Sequence, residues 1–199
     1  MNARPATTRT ATTRRETKET TVALSLVLDG SGSASASTGI PFFDHMLEQI
    51  GKHGGFDLTI EATGDLDVDL HHTVEDVGIV LGGALKEALG DKAGVRRFAD
   101  AIVPLDEALV QVAVDLSGRP FLVYEVDPVA EWIGTFDPQL MEEFWRAFTF
   151  AAGITLHIRS LSGKNGHHVI EASCKGVARA LRDAVRVEGT GVPSTKGTL

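Results

Sequence analysis

Two stretches in which apolar and polar residues alternate predict a pair of similar β-strands. Residues 21–29 and 109–116 each place an aliphatic side chain at every second position. A period of two is typical of a strand that buries one face and exposes the other. Each stretch runs into the glycine, serine and aspartate of a turn, at residues 29–32 and 115–118. The same unit therefore occurs once in each half of the chain.

Four segments show the apolar spacing of helices. They comprise residues 44–52, residues 138–151 and two longer segments that begin at His71 and His167. We expect the longer helices to end at Gly90 and Gly189, because glycine is common just beyond a helix C-terminus. Further strands are predicted at residues 56–62, 66–70 and 154–160.

This order of elements predicts an α+β fold that is internally duplicated. Strands and helices follow one another in the same sequence twice, so we expect two sheets with helices packed between or against them. Neither repeat, at about 16–95 and 96–199, is long enough to bury much alone, and we expect one compact domain over residues 16–199. Residues 1–15 are rich in Thr, Ala and Arg and contain no acid, which predicts a disordered extension.

Composition excludes several classes of protein. Of 199 residues, 43% are hydrophobic and 23% are charged, as in an ordinary globular chain. The net charge of −8 argues against a general nucleic-acid-binding protein, and any anionic substrate must meet a local basic cluster. No apolar run is long enough for a membrane span. The single cysteine, Cys174, excludes an intramolecular disulfide and favours the cytoplasm.

The two longer helices begin with the same HHxxE pattern, at residues 71–76 and 167–172. Side chains four positions apart share one helix face, so His71 lies beside Glu75 and His167 beside Glu171. Adjacent histidines diverge by about 100° around the axis and are not expected to hold the same ion. Imidazole and carboxylate are ligands of divalent transition metals. The repeat therefore predicts two metal ions.

A pairing across the repeat is our hypothesis for the ligands. One ion would be held by His71, Glu75 and His168, and the other by His72, His167 and Glu171. His45 and His157 could each add a fourth ligand. The donor types suit Mn²⁺, with Fe²⁺, Co²⁺ and Zn²⁺ as alternatives. His53 has no counterpart in the repeat, and we interpret it as an ordinary surface histidine.

Basic residues lie at Arg97, Arg119, Lys175 and Lys196. Lys175 follows Glu171 by one helical turn, whereas the first repeat has Ile79 at the matching position. The cation thus breaks the symmetry of the metal ligands, as expected if one end of an asymmetric ligand is anionic. Guanidinium and ammonium groups near a metal are good partners for phosphate.

Several motifs resemble those of the imidazoleglycerol-phosphate dehydratase family. They are FFDHML at 42–47, DLHHTVED at 69–76, PLDEA at 104–108, DLSGRP at 115–120, HHVIEA at 167–172 and PSTKG at 193–197. The resemblance extends from about Arg15 to Leu199 and leaves out only the N-terminal extension. It implies the dehydration of D-erythro-imidazole glycerol phosphate to imidazole acetol phosphate, a step of histidine biosynthesis.

The resemblance also implies the cofactors, the assembly and the site residues. The fold would consist of two halves like ribosomal protein S5 domain 2, with two Mn²⁺ per subunit and metal sites at the interfaces of a 24-subunit homo-oligomer. The metal ligands would be His45, His71, His72, Glu75, His157, His167, His168 and Glu171. Glu19 and Gln49 would contact substrate, and the phosphate would be held by Arg97, Arg119, Lys175, Ser194 and Lys196.

The implied reaction explains why metals and a base would be needed. The proton to be lost lies next to a hydroxyl group and is barely acidic, so electron withdrawal by a metal at the imidazole ring would help the hydroxyl to leave. A carboxylate would then remove the proton. Glu171 is our first candidate for this base and Glu19 the second.

Two other functions compete with this interpretation. A non-catalytic shell-forming protein could use metals only to join its subunits. Such a protein would not need a basic residue beside a metal ligand, and the position of Lys175 one turn after Glu171 argues against it. A binuclear metallohydrolase would need carboxylates that bridge the two ions. The repeat does not supply a second such carboxylate, because the position in the second repeat that matches Asp76 is Ala172.

Overall fold

Each half of the chain folds into the same succession of three strands, a helix, a strand and a helix. The computed structural model describes residues 9–127 and 132–199. The first half contains β1 (Thr10–Glu16), β2 (Thr20–Val27), β3 (Ala34–Ser37), α1 (Pro41–Gly54), β4 (Asp57–Gly64) and α2 (His71–Leu89). The second half contains β5 (Phe98–Leu105), β6 (Ala108–Asp115), β7 (Phe121–Glu125), α3 (Leu140–Ala152), β8 (Thr155–Ser162) and α4 (Gly166–Ala184).

The strands form two mixed sheets with the same internal order. The first sheet runs β1-β2-β4-β3 and the second β5-β6-β8-β7. In each, the first three strands of that order are antiparallel to their neighbours, and the last pair is parallel. The expected duplicated α+β architecture with two mixed sheets is confirmed.

The four helices of the described residues lie between the two sheets. Helix α1 packs against α4, and α2 packs against α3. Two glycines of α2 allow the second contact, because a Cβ at Gly78 would lie only 2.7 Å from the carbonyl oxygen of Phe144. Gly82, one turn later, meets the carbonyl oxygen of Phe148 in the same way. The helix layer and the inner faces of the two sheets together form the core, and the helix contacts fix where the N-termini of α2 and α4 lie.

Local sequence explains the bounds of these helices. Pro41 occupies the start of α1, where its missing N–H costs nothing, and Gly55 ends the helix in a left-handed conformation with φ of 69°. Asn165 caps α4 by accepting a hydrogen bond from the backbone N–H of His167 at 3.0 Å. The HHxxE pattern thus occupies the first turns of both long helices, as predicted.

Three predictions about the elements are wrong. Residues 66–70 form no strand, because the N–H of Val68 donates to the carbonyl of Asp65 in a turn between β4 and α2. Helix α4 ends at Ala184 rather than at Gly189, because Val187 beyond it forms a β-bridge with Val95. Residues 10–15, expected to be disordered, belong to strand β1, which pairs along its length with β2. Residues 1–8 of that extension lie outside the described residues.

None of the helices in the described parts of the chain combines the length and apolar character that a membrane crossing requires.

Candidate functional site: a histidine and carboxylate cluster

The contact between α1 and α4 brings together His45, His167 and Glu171. The Nε2 atom of His167 lies 2.9 Å from Oε2 of Glu171, and Nε2 of His45 lies 3.5 Å from the same oxygen. One donor atom from each of the three residues lies within 4.8 Å of the others. Two imidazoles and a carboxylate that converge in this way form a donor set that fits a divalent transition metal.

Lys175 closes the other side of this cluster. Its Nζ lies 2.7 Å from Oε1 of Glu171, and both side chains are largely buried, with 18% and 13% of their surface exposed. Burial opposes ionisation of Glu171, but Lys175 and His167 outweigh it and hold the pKa of this carboxyl below its ordinary value. Glu171 is therefore an anion with strong partners.

A line of polar side chains continues from the cluster along α1. Gln49 lies between two histidines, with Nε2 at 3.4 Å from Nδ1 of His45 and Oε1 at 3.1 Å from Nε2 of His53. Burial and then the charge of Lys175 lower the pKa of His53. We did not predict His53 near the ligands, because it has no counterpart in the repeat and only the packing of α1 on α4 brings it near Lys175.

The corresponding end of α2 presents a second set of donors. The Nε2 atom of His71 lies 3.8 Å from Oε2 of Glu75. The Nδ1 atom of His72 lies 3.1 Å from Oδ2 of Asp65 and 4.0 Å from Oε2 of Glu19. The hydrogen bond with Asp65 raises the pKa of His72. Glu19 belongs to the hairpin between β1 and β2, and its side chain is 56% exposed.

His168 has a carboxylate partner of its own at the start of α4. Its Nδ1 atom lies 2.8 Å from Oε2 of Glu107, which belongs to the tight turn between β5 and β6. The other oxygen of Glu107 accepts hydrogen bonds from the backbone N–H groups of Asn165 at 2.8 Å and Lys164 at 3.1 Å. The hydrogen bond with His168, followed by these two, lowers the pKa of Glu107 to about 2. The same bond raises the pKa of His168.

The two histidine pairs have the same geometry. The ring centroids of His71 and His72 are 6.2 Å apart with planes at 90°, and those of His167 and His168 are 6.2 Å apart at 81°. The expected divergence of adjacent histidines is therefore observed in both helices. The two rings of each pair accordingly contact different carboxylates.

A single chain does not complete either of the ligand sets that the sequence suggested. Within the described residues, three metal-binding side chains converge only at His45, His167 and Glu171. His72 does not join this cluster, and His168 does not join His71 and Glu75. Of the two residues suggested as fourth ligands, His45 lies within this three-residue cluster.

His157 lies on the opposite face of the second sheet. It stands on β8 between Leu156 and Ile158, both of which are fully buried. Because successive side chains of a strand point to opposite faces, His157 faces away from the helix layer that carries His167. It cannot share an ion with the cluster of its own chain.

Four of the five residues expected to bind phosphate line one open groove with a volume of about 580 Å³. They are Arg97, Arg119, Ser194 and Lys196. Arg119 and Lys196 are exposed and form no ion pair within the described residues. Lys175, the fifth residue, lies at the histidine cluster instead.

Arg97 differs from the other groove residues because its guanidinium already has partners. It donates to Asp115 at 2.7 and 3.2 Å and to the carbonyl of Pro193 at 2.7 Å. Only 12% of the side chain is exposed. Arg97 therefore fixes the C-terminal segment that carries Ser194 and Lys196, and it forms the base of the groove.

Asp65 and Glu107 were not identified from the sequence. Glu107 stands within the quoted motif at 104–108, but nothing in its spacing relates it to His168. Asp65 immediately precedes the segment 66–70, which we interpreted as a strand. Both reach a histidine through loops, and helical or strand periodicity gives no signal for such contacts.

Comparison with known proteins gives consistent matches along the chain. The sequence model of the family described as imidazoleglycerol-phosphate dehydratase matches residues 38–181. A protein of that name from Acidothermus cellulolyticus is 60% identical over 196 residues, which cover 98% of this chain and 95% of the relative. One from Parafrankia sp. is 61% identical over 193 residues, covering 96% and 99%.

Solved structures give the same result for the fold. The imidazoleglycerol-phosphate dehydratase of Staphylococcus aureus superposes with a TM-score of 0.81 at 39% identity and covers 89% of this chain and 99% of its own. The structure from Pyrococcus furiosus, in complex with (S)-C348, gives a TM-score of 0.82 at 39% identity, covering 94% and 100%.

Proposed function

The chain belongs to the imidazoleglycerol-phosphate dehydratase family, and we propose that its reaction takes place around His45, His167 and Glu171. As a member of this family it is a hydro-lyase of histidine biosynthesis, which converts D-erythro-imidazole glycerol phosphate to imidazole acetol phosphate and water. The convergence of these three side chains at the contact of α1 and α4 carries the assignment of the site.

The donor set supports a divalent metal as the cofactor, and we propose Mn²⁺. Imidazole and carboxylate donors without thiolate suit Mn²⁺. The two HHxxE helices support two ions per subunit, because the rings within each pair point apart. A bound divalent ion supplies electron withdrawal from the imidazole ring of the substrate, which favours departure of the neighbouring hydroxyl.

We propose that each metal site is completed between subunits. His45, His167 and Glu171 form three of four ligands, and the pairing across the repeat leaves His72 as the fourth. Because His72 does not reach the cluster of its own chain, a second copy must supply it. The other site would join His71 and Glu75 of one subunit to His157 and His168 of another.

The surface around His157 supports this assembly. His157 lies on the outer face of the second sheet, near three large apolar side chains that are more than half exposed: Phe98 at 55%, Ile102 at 56% and Phe121 at 59%. Exposed apolar surface of this kind marks protein interfaces. A second subunit that covers the face would bury these residues and bring its own ligands to His157. We infer a homo-oligomer of 24 subunits, which native mass spectrometry measures directly.

We propose that the groove of Arg119, Ser194 and Lys196 holds the phosphate. Two cations that form no ion pair with any described residue, together with a hydroxyl group, suit a doubly charged phosphate. Arg97 contributes to phosphate binding indirectly, because its hydrogen bond to Pro193 fixes the C-terminal segment that carries Ser194 and Lys196. The cluster and the groove would then bind opposite ends of one substrate.

The surroundings of the two candidate bases favour Glu19 for removal of the proton. Glu171 is largely buried and bound to Lys175 and His167, so its carboxylate is a weak base. Glu19 is more than half exposed and lies 4.0 Å from the ring of His72, with no hydrogen bond to its carboxylate within the described residues. Lys175 and Glu171 would then position the site, and Glu19 would accept the proton.

The test is the formation of imidazole acetol phosphate by protein that has been stripped with a chelator and refilled with Mn²⁺. We expect two Mn²⁺ per subunit and activity that returns with the metal. A His167→Ala variant should retain only about one Mn²⁺ per subunit and lose turnover, whereas His53→Asn should retain two ions because His53 is the one histidine outside the ligand sets. Full activity of stripped wild-type protein would overturn the proposal.

A non-catalytic shell protein is not favoured, because family membership and the basic groove both indicate an enzyme that acts on a small phosphorylated substrate. We place the enzyme in the cytoplasm, where the buried free thiol of Cys174 would remain reduced.

A further inference from the structure

The second histidine of each HHxxE pair has a carboxylate on the same ring nitrogen. Asp65 lies 3.1 Å from Nδ1 of His72, and Glu107 lies 2.8 Å from Nδ1 of His168. Within residues 9–127 and 132–199, no hydrogen bond reaches Nε2 of either ring. A neutral imidazole whose Nδ1 carries the hydrogen has a free lone pair on Nε2.

We propose that Asp65 and Glu107 are positioning residues that hold His72 and His168 in the Nδ1–H tautomer and so present Nε2 of each ring to a metal ion. The inference rests on the proposed function, in which both histidines are ligands. Carboxylates behind metal-bound histidines orient the ring and strengthen the imidazole as a donor.

The two carboxylates come from different places in the repeat. Glu107 belongs to the hairpin between β5 and β6, whereas Asp65 belongs to the loop between β4 and α2. In the first half, the hairpin residue Glu19 stands farther from the ring, at 4.0 Å. Duplication of the fold alone would therefore not produce this contact twice. Both halves nevertheless place a carboxylate at Nδ1 of the second histidine, which supports a requirement for this contact. Because Asp65 makes the contact in the first half, Glu19 remains available for substrate.

Glu107 is itself held in a fixed orientation. One of its oxygens accepts hydrogen bonds from the N–H groups of Lys164 and Asn165, and the other faces His168. An ordinary surface ion pair has no such constraint, because its side chains move freely in water. The loop that caps α4 thus fixes Glu107, and Glu107 fixes the ring.

This arrangement makes Glu107→Gln a sharp test. The two backbone N–H groups require an oxygen, so the NH₂ group of the new side chain must face His168. The ring would then have to accept at Nδ1 and carry its hydrogen on Nε2, which is the wrong tautomer for binding a metal. Asp65→Asn is the second variant, and it tests the other half of the duplication.

Matched controls remove the same charge without touching the hydrogen bonds. Glu87→Gln makes the identical chemical change at an exposed residue near the C-terminal end of α2, far from the histidines at the helix N-terminus. Asp67→Asn changes an exposed residue two positions from Asp65. If only net charge mattered, each control would behave like its partner.

Two measurements decide the outcome. Solid-state ¹⁵N spectra of histidine-labelled, metal-free protein report which ring nitrogen carries the hydrogen, and calorimetric titration with Mn²⁺ alone reports affinity. We expect one ring to change tautomer in Glu107→Gln, with Mn²⁺ affinity about 10- to 100-fold weaker at one site, and wild-type behaviour in both controls. Asp65→Asn should weaken the other site.

An unchanged tautomer and unchanged Mn²⁺ affinity in Glu107→Gln would overturn the inference, as would an equal loss of affinity in Glu87→Gln. If wild-type protein bound no Mn²⁺, the proposed function would fail instead. The ring spectra are recorded without metal and would still decide whether Glu107 sets the tautomer of His168.

Discussion

Mixing two inactive variants tests whether the metal sites are shared between subunits. His167→Ala removes a ligand from the cluster formed with His45 and Glu171, and His72→Ala removes the ligand that we assign to the neighbouring copy. Each variant alone should be inactive, because every site of that type lacks one ligand. In a mixed assembly, some clusters with an intact His167 would face a subunit with an intact His72.

The expected recovery follows from this geometry. When the two variants are incorporated equally and at random, half of the clusters retain His167, and half of those meet an intact His72. About one quarter of the sites should therefore be complete, and activity should return to about a quarter of the wild-type value. The sites of His71, Glu75, His157 and His168 are intact in both variants and do not limit the result.

The assay uses co-expression of the two variants with different affinity tags and purification over both columns in turn. The matched control is the mixture of His45→Ala with His167→Ala. These two residues lie in the same three-residue cluster of one chain, so no mixing can restore both to one site. We expect no recovery in this control, with the same assembly mass as in the test mixture.

Two results would refute the reasoning. If the His72→Ala and His167→Ala mixture remained inactive although mixed assemblies were isolated, the site would not be shared as we describe. If the control mixture recovered as much activity as the test mixture, the three-residue cluster would not act as a unit.

Three further predictions concern the base, the phosphate groove and the helix contact. Glu19→Gln should lose turnover but retain two Mn²⁺ per subunit, whereas Glu171→Gln should lose bound metal as well; full turnover of Glu19→Gln would exclude it as the base. Arg119→Ala should raise KM about tenfold or more with a smaller change in kcat, as expected for loss of a charged hydrogen bond, and a fall in kcat alone would contradict the phosphate role. Gly82→Ala should destabilise the fold by about 1–3 kcal/mol in a denaturant titration, because its Cβ would meet the backbone of α3, whereas Gly83→Ala, with open space around it, should stabilise it by about 0.5–1 kcal/mol. Equal effects of the two alanines would show that the close helix approach does not limit packing.

The strands that the sequence predicted and those that it missed differ in their place in the sheets. The predicted strands β2, β4, β6 and β8 are the central ones, and the missed strands β1, β3, β5 and β7 are all edges. A central strand is covered along its length, so burial imposes strict alternation, as in the pattern of β2. An edge strand is less well covered, and β3 and β7 have no fully buried residue. Their weak pattern explains why they were missed.

The site divides in a similar way between local and distant contacts. The sequence predicted that His167 lies beside Glu171, and Lys175 beside Glu171, because four positions make one turn of a helix. The positions of His45, His53 and Gln49 relative to this turn depend on how α1 packs on α4. Asp65 and Glu107 depend on loops, whose conformation has no periodic signal.

The sequence by itself determined the duplicated architecture, the two histidine pairs and their divergence, because hydrophobic period and helical pitch act over a few residues. The tertiary structure alone decided which ligands meet within one chain and that His157 faces away from them. It also decided that Arg97 is tied to Asp115 and Pro193, and that a carboxylate stands behind each second histidine. Several of these contacts join residues that are far apart in the chain, as Arg97 and Pro193 are, and the others depend on loops. Their distances are therefore fixed by the packing of helices and sheets and by loop conformation, neither of which has a periodic signal in the sequence.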